Sequence, residues 1–215
     1  MTCPLCDSDQ ISKLFERVDS ALGTRQYDQC ASCRLIFLLP ENHLSREAEK
    51  ARYDTHQNSP EDKDYVQFLR RLTDPLKEKL RPGFGGLDFG SGPGPTISAI
   101  FKEEGFEVKN YDPFYASDER LLRQKYDFIT CSETVEHFYS PRKQFQQFDE
   151  LLNDVGYLGI MTQMLRKDES FADWWYHKDP THVCFYGHDT FDWIAQWQSW
   201  RVEYPADNVV IYTKQ

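Results

Sequence analysis

No apolar run in this chain approaches the roughly 20 residues that cross a bilayer as a helix, so a membrane span is not expected. The N-terminus lacks the basic end and apolar stretch of a signal peptide, and a soluble cytoplasmic protein is the expectation. Positive charge is scarce: 25 Lys and Arg face 35 Asp and Glu, for a net charge of −10. A surface of that sign repels phosphate backbones, which argues against a nucleic-acid substrate. Six cysteines without a secretion signal read as metal ligands or free thiols rather than disulfides. The 215 residues suffice for one α/β domain and a small appendage.

What is present centres on residues 87–96, Leu-Asp-Phe-Gly-Ser-Gly-Pro-Gly-Pro-Thr. An apolar approach ends at Asp88, and glycines follow at every second position, Gly90, Gly92 and Gly94. Ile97, Ile100 and Phe101 then recur at helical spacing until Gly105. This is a strand, a glycine turn and a helix start, where free backbone N–H groups are expected to face a ligand. A side chain in the turn would keep a cofactor from the backbone. The dinucleotide pattern fails, because its last glycine or alanine falls on Pro95. The P-loop pattern lacks its Lys-Ser/Thr.

The stretch instead resembles the first motif of class I S-adenosylmethionine-dependent methyltransferases, an acid followed by alternating glycines. Two later segments fit the same resemblance. Phe106–Tyr111 alternates as a short strand ending at Asp112, twenty positions beyond Gly92, where an acid can accept hydrogen bonds from ribose hydroxyls. Tyr126–Cys131 reads as a buried strand leading into Ser-Glu-Thr-Val-Glu-His, residues 132–137, and resembles the family's fourth-strand motif. The resemblance implies S-adenosylmethionine as cofactor, held by Asp88, Gly90, Ser91, Gly92, Gly94, Asp112, Phe114, Ser132 and Glu133, with Phe114 against the adenine. It also implies a Rossmann-like α/β fold, a mostly parallel sheet with an antiparallel last strand. Only Ser117–Lys125, one short helix, separates Asp112 from the next strand, so the third strand is expected to be short or missing.

Cys3-x-x-Cys6 and Cys30-x-x-Cys33 have nearly the spacing of a zinc ribbon, in which two turns bring four thiolates to one tetrahedral ion. Forty residues cannot build a sufficient core alone, and a structural Zn2+ would stabilise them. A redox pair is the rival reading. This gives a module over 1–40, a charged connector over 41–81 and a methyltransferase segment over 82–215. In the connector, Tyr65, Phe68, Leu69, Leu72, Leu76 and Leu80 mark an amphipathic helix that Pro75 should interrupt or kink. The resembled family covers its cofactor with an N-terminal helix, which brings Tyr53 or Tyr65 toward the ligand.

All five tryptophans fall between 174 and 200, in and after a segment that contains Asp179-Pro-Thr-His182. Such aromatic density suits an apolar or planar acceptor and exclusion of water. His182 is the first candidate for a proton acceptor, with Tyr176, His177 and Asp179 behind it and His137 as a second. The expected activity is methyl transfer to a small molecule by in-line displacement. A non-catalytic S-adenosylmethionine-binding module and an RNA methyltransferase are the alternatives.

Overall fold

The computed structural model describes residues 1–55 and 58–215. Its larger sheet has six strands in the order β5-β4-β6-β7-β10-β9. These are β4 (Gly85–Phe89), β5 (Glu107–Tyr111), β6 (Tyr126–Ser132), β7 (Leu152–Met161), β9 (Arg201–Ala206) and β10 (Val209–Thr213). The first four pair in parallel, and β10 runs antiparallel between β7 and β9. This is the expected Rossmann-like architecture with an antiparallel last strand. Among the described residues no strand stands between β5 and β6. A single 3-10 turn, Glu119–Arg123, occupies the place where a helix over 117–125 was expected. Its N-cap Asp118 accepts from Arg120 N, and a segment this short closes as a tight turn.

Helix α2 (Lys63–Lys77) starts at Asp62, whose carboxylate accepts from the backbone of Asp64 and Tyr65. It buries Leu69, Leu72 and Leu76 against the sheet and against α3 (Thr96–Glu103). The close fit needs Gly159 in β7, where a Cβ would stand 2.9 Å from Leu72. Pro75 does not end this helix, which continues two residues beyond it to Lys77. At that depth in the last turn only one backbone hydrogen bond is forfeited. On the opposite face, Phe145, Phe148 and Leu151 of α4 (Pro141–Leu151) join Phe191 and Ile194 of α5 (His188–Gln198) in a second cluster.

The smaller sheet has the order β1-β2-β3-β8. The hairpin of β1 (Ile11–Asp19) and β2 (Gly23–Cys30) is followed by β3 (Ile36–Leu38). Its fourth strand, β8 (Cys184–Phe185), comes from beyond β7 and pairs with β3, Ile36 opposite Phe185 and Phe37 opposite Cys184. One continuous buried cluster therefore runs from Cys3 and Leu35 through Phe185 to Tyr212. Helix α1 (Arg46–Tyr53), capped by Ser45, leads from this sheet toward α2. No helix among the described residues is long and apolar enough to cross a membrane.

Candidate active site

At the carboxyl ends of β4, β5 and β6 lies a cleft of about 340 Å³. In an open α/β sheet this is where ligands bind, because the strand order reverses there and the loops diverge. Asp88, Gly90, Ser91, Gly92, Gly94, Asp112, Phe114, Ser132 and Glu133, the nine residues expected at the cofactor, all line it. His137 and His182 line it as well.

The glycine turn is built differently from the expectation of free N–H groups. Gly90 and Ser91 donate to the Tyr111 carbonyl, at 2.8 and 3.2 Å, and Gly92 donates to Asp112 Oδ2 at 3.0 Å. The turn is thus locked onto the end of β5. Gly90 and Gly92 have φ of +79° and +62°, a region that favours glycine. Crowding also comes from the protein itself: a Cβ at Gly90 would stand 2.3 Å from the Thr134 hydroxyl, and one at Gly94 1.8 Å from the Asn58 carbonyl oxygen.

Asp112 is buried and accepts from three backbone donors. Its Oδ1 accepts from Phe114 N and Tyr115 N, at 2.8 and 3.1 Å, while Oδ2 holds the turn. Oδ2 alone keeps a second acceptor direction, which a ribose hydroxyl can use. Asp88 lies beneath the turn, where Thr130 donates to it at 2.8 Å. Burial, opposed by that bond and reinforced by Asp112, pushes its carboxyl up to about 7. Glu133 stands at the end of β6 with φ of +46°, a strained position of the kind found at functional sites. Burial first, and the neighbouring Glu136 second, push its carboxyl well above the usual range.

Three buried polar atoms of this wall have no hydrogen-bond partner in the protein: Ser91 Oγ, Ser132 Oγ and Glu133 Oε1. Unpaired buried groups are costly unless a ligand satisfies them. They match what the polar methionine end of the expected cofactor offers.

The far wall holds the proposed chemistry. His182 Nδ1 donates to the Tyr176 carbonyl at 2.8 Å, and His137 Nδ1 donates to the Thr181 carbonyl at 3.0 Å. A carbonyl only accepts, so both rings carry a proton on Nδ1 and direct it away from Nε2. Burial, with His137 beside it, lowers His182 to about 4, so its ring is neutral at physiological pH. Tyr176 does not line the cleft. Its hydroxyl donates to Glu136 Oε1, and Thr162 donates to the other oxygen at 3.1 Å. Asp179 is bound by Arg52 at 2.7 Å and by Thr181, which outweigh its burial and hold its carboxyl below the usual range. His177 packs against Phe15, Tyr27 and Phe171, away from the cleft.

The sequence matches the family described as Methyltransferase domain over residues 34–203. The chain belongs to that family. It is a class I S-adenosylmethionine-dependent methyltransferase. Two similar solved structures are S-adenosylmethionine-dependent methyltransferases from Archaeoglobus fulgidus and Aquifex aeolicus. The first is 22% identical with a TM-score of 0.46, covering 65% of this chain and 76% of that one. The second is 16% identical with a TM-score of 0.47, covering 79% and 97%. No curated protein matches the sequence.

Within this methyltransferase the tryptophans differ from the expectation of an acceptor wall. None is among the described residues that line the cleft. Trp174 and Trp200 are buried in the core and Trp175 is 60% exposed. Trp174 packs on Phe185 of the smaller sheet and Trp200 on Tyr212 of the larger, so their apolar area goes to the shared core. The cleft's aromatic rings are Tyr53, Tyr65, Phe89, Phe114, Tyr115 and Phe138. Glu49, Asn58 and Thr134 also line it and were not anticipated. The one available signal is that Glu49 and Tyr53 are four apart on a helix, where they bond at 2.7 Å.

Away from the cleft, Cys3, Cys6, Cys30 and Cys33 bring their sulfurs within 4.8 Å of one another. Cys3 lies 3.5 Å from Cys33, and Cys6 3.4 Å from Cys30. Sulfurs about 2.3 Å from a tetrahedral ion stand about 3.8 Å apart, so the donor set fits zinc. Cys131 is a buried free thiol in β6.

Proposed function

We propose that this methyltransferase acts on a small molecule held between Glu49, Tyr53, His137 and His182. What supports the reading is the meeting, in one cleft, of the glycine turn, Asp112 and three unpaired buried polar atoms. Asp112 accepts the ribose hydroxyls, Phe114 packs on the adenine, and Ser91, Ser132 and Glu133 take the methionine end. The bound cofactor supplies an electrophilic sulfonium methyl group. The chain's own contribution is alignment and exclusion of water. His182 orients the acceptor through Nε2 and takes its proton where one is lost, with His137 beside it. Tyr176 and Asp179 act as positioning residues, fixing Glu136 and the His182 loop. His182→Gln should therefore lower turnover while cofactor affinity holds.

Among the described residues lining the cleft there is no lysine or arginine, which disfavours an anionic acceptor and, with the net charge, an RNA substrate. The cysteine cluster is proposed to hold one structural Zn2+ in a module over residues 1–40, joined by a connector over 41–81 to the catalytic segment 82–215. A cytoplasmic location is part of the same reading.

Thermal shift with S-adenosylmethionine, S-adenosylhomocysteine and NAD tests the donor. Both sulfur compounds should stabilise the chain and NAD should not. Stabilisation by neither, or by NAD instead, overturns the reading. Metal analysis should find zinc in freshly purified protein.

A further inference from the structure

The polar wall of the cleft contains a second donor cluster. Glu136, His137 and His182 present one carboxylate oxygen and two ring nitrogens, all within 4.8 Å of one another. Two separate elements deliver them. Glu136 and His137 stand in the 3-10 turn after β6, and His182 stands just before β8. The elements are joined by the backbone, where Val183 N donates to the Glu136 carbonyl at 2.8 Å.

Each donor is held from behind. Both imidazoles spend Nδ1 on a backbone carbonyl, which leaves Nε2 as the ligating atom. Glu136 is oriented by the hydroxyls of Tyr176 and Thr162. Metal-ligating histidines and carboxylates are supported in this way, because the outer bond fixes the tautomer and the direction of the lone pair. The acids here also lack a cationic partner. Glu133 and Glu136 are neighbouring acids, Glu136 is fully buried, and neither makes an ion pair among the described residues. Glu133 Oε1 is buried without a partner.

We propose that Glu136, His137 and His182 bind a divalent first-row transition-metal ion in the acceptor half of the cleft. Three donors about 2.1 Å from a common ion and spread evenly around it stand about 3.6 Å apart. The cluster, within 4.8 Å, therefore closes on an ion with a contraction of up to about 1.2 Å. Two imidazoles and carboxylate oxygen suit manganese, iron, cobalt or zinc rather than calcium. The remaining positions face the cleft, where a hydroxyl acceptor can bind through its oxygen.

Coordination lowers the pKa of such a hydroxyl, and its proton passes to water. The oxygen then forms a bond to the methyl carbon as the carbon–sulfur bond breaks, and the sulfonium leaves as a neutral thioether. This rests on reading the cleft as the methyl-transfer site. It makes His182 a ligand rather than the proton acceptor.

The test is Mn(II) titration of the full chain, followed by electron paramagnetic resonance and equilibrium dialysis. Mn(II) favours oxygen and nitrogen over thiolate, so the cysteine cluster does not compete for it. One saturable equivalent is expected. Its affinity should fall at least tenfold in His137→Asn and in His182→Asn, where an amide still donates to the backbone carbonyl. No saturable Mn(II), or equal uptake by both variants, overturns the site. S-adenosylhomocysteine affinity of the same samples separates the two readings. Binding of the sulfur compound without Mn(II) defeats only the metal site, and Mn(II) without the sulfur compound defeats the donor reading.

Discussion

Asp112 serves two partners at once. It closes the glycine turn through Gly92 and caps its own turn through Phe114 and Tyr115. Asp112→Ala should therefore weaken S-adenosylhomocysteine binding at least tenfold, measured by calorimetry, since it removes the ribose acceptor and loosens the turn. Affinity equal to the parent's would refute the assignment. Asp88 makes a separable prediction. Burial raises its carboxyl from 3.8 to about 7, so the folded chain binds more protons than the unfolded chain between those values. Stability should fall as pH rises through that window and level off above it. Asp88→Asn should flatten this dependence in denaturant melts, and an unchanged slope would show that Asp88 is not its source. The spacing of Asp88, the glycines and Asp112 was legible because all belong to one strand–turn–helix–strand unit. The acceptors that occupy the turn's N–H groups were not, since they depend on how β4 and β5 are registered.

The glycine turn as an element is fixed by two independent constraints, a positive φ and the Thr134 side chain against Gly90. Gly90→Ala should cost about 2 kcal/mol from backbone strain alone, with further loss from the collision. It should abolish measurable cofactor binding even if the chain still folds, and a variant of parental affinity would refute this. Strand β8 was the element least visible in the sequence. Its two residues sit in an aromatic stretch that reads as a ligand loop, and their role as an edge strand follows from a partner, β3, nearly 150 positions earlier. That pairing, with Leu38 N donating to the Val183 carbonyl at 2.9 Å, holds His182 at the cleft. Arg25 and Tyr27 of β2 secure the preceding turn through the carbonyls of Pro180 and His177.

At the scale of the whole molecule the two sheets share one buried cluster. The cysteine module also grips α4, where Arg142 bonds the Leu5 carbonyl and pairs with Asp7 at 2.9 Å. Loss of the proposed zinc should consequently be felt across the chain. Chelation should lower Tm by roughly 10 °C, as a loss of a few kcal/mol does in a chain of this size. Methyl transfer should fall more than S-adenosylhomocysteine affinity, because the His182 loop hangs on β3 while the glycine turn hangs on β5. Equal loss of both would argue that the module supports the molecule generally.

The sequence by itself pointed to the family, the parallel sheet with its antiparallel last strand, the short or missing third strand and nine residues that share one cleft. The motifs lie within contiguous segments, where backbone geometry sets which side chains share a turn, and the sheet order is what the family they resemble implies. Tertiary structure alone decided that a loop strand completes the cysteine sheet and that Trp174 and Trp200 pack as core. It also decided that Glu136, His137 and His182 converge on one wall. Each of these joins residues far apart in the chain, and such meetings depend on strand order and on where the apolar area is buried, which no local pattern encodes.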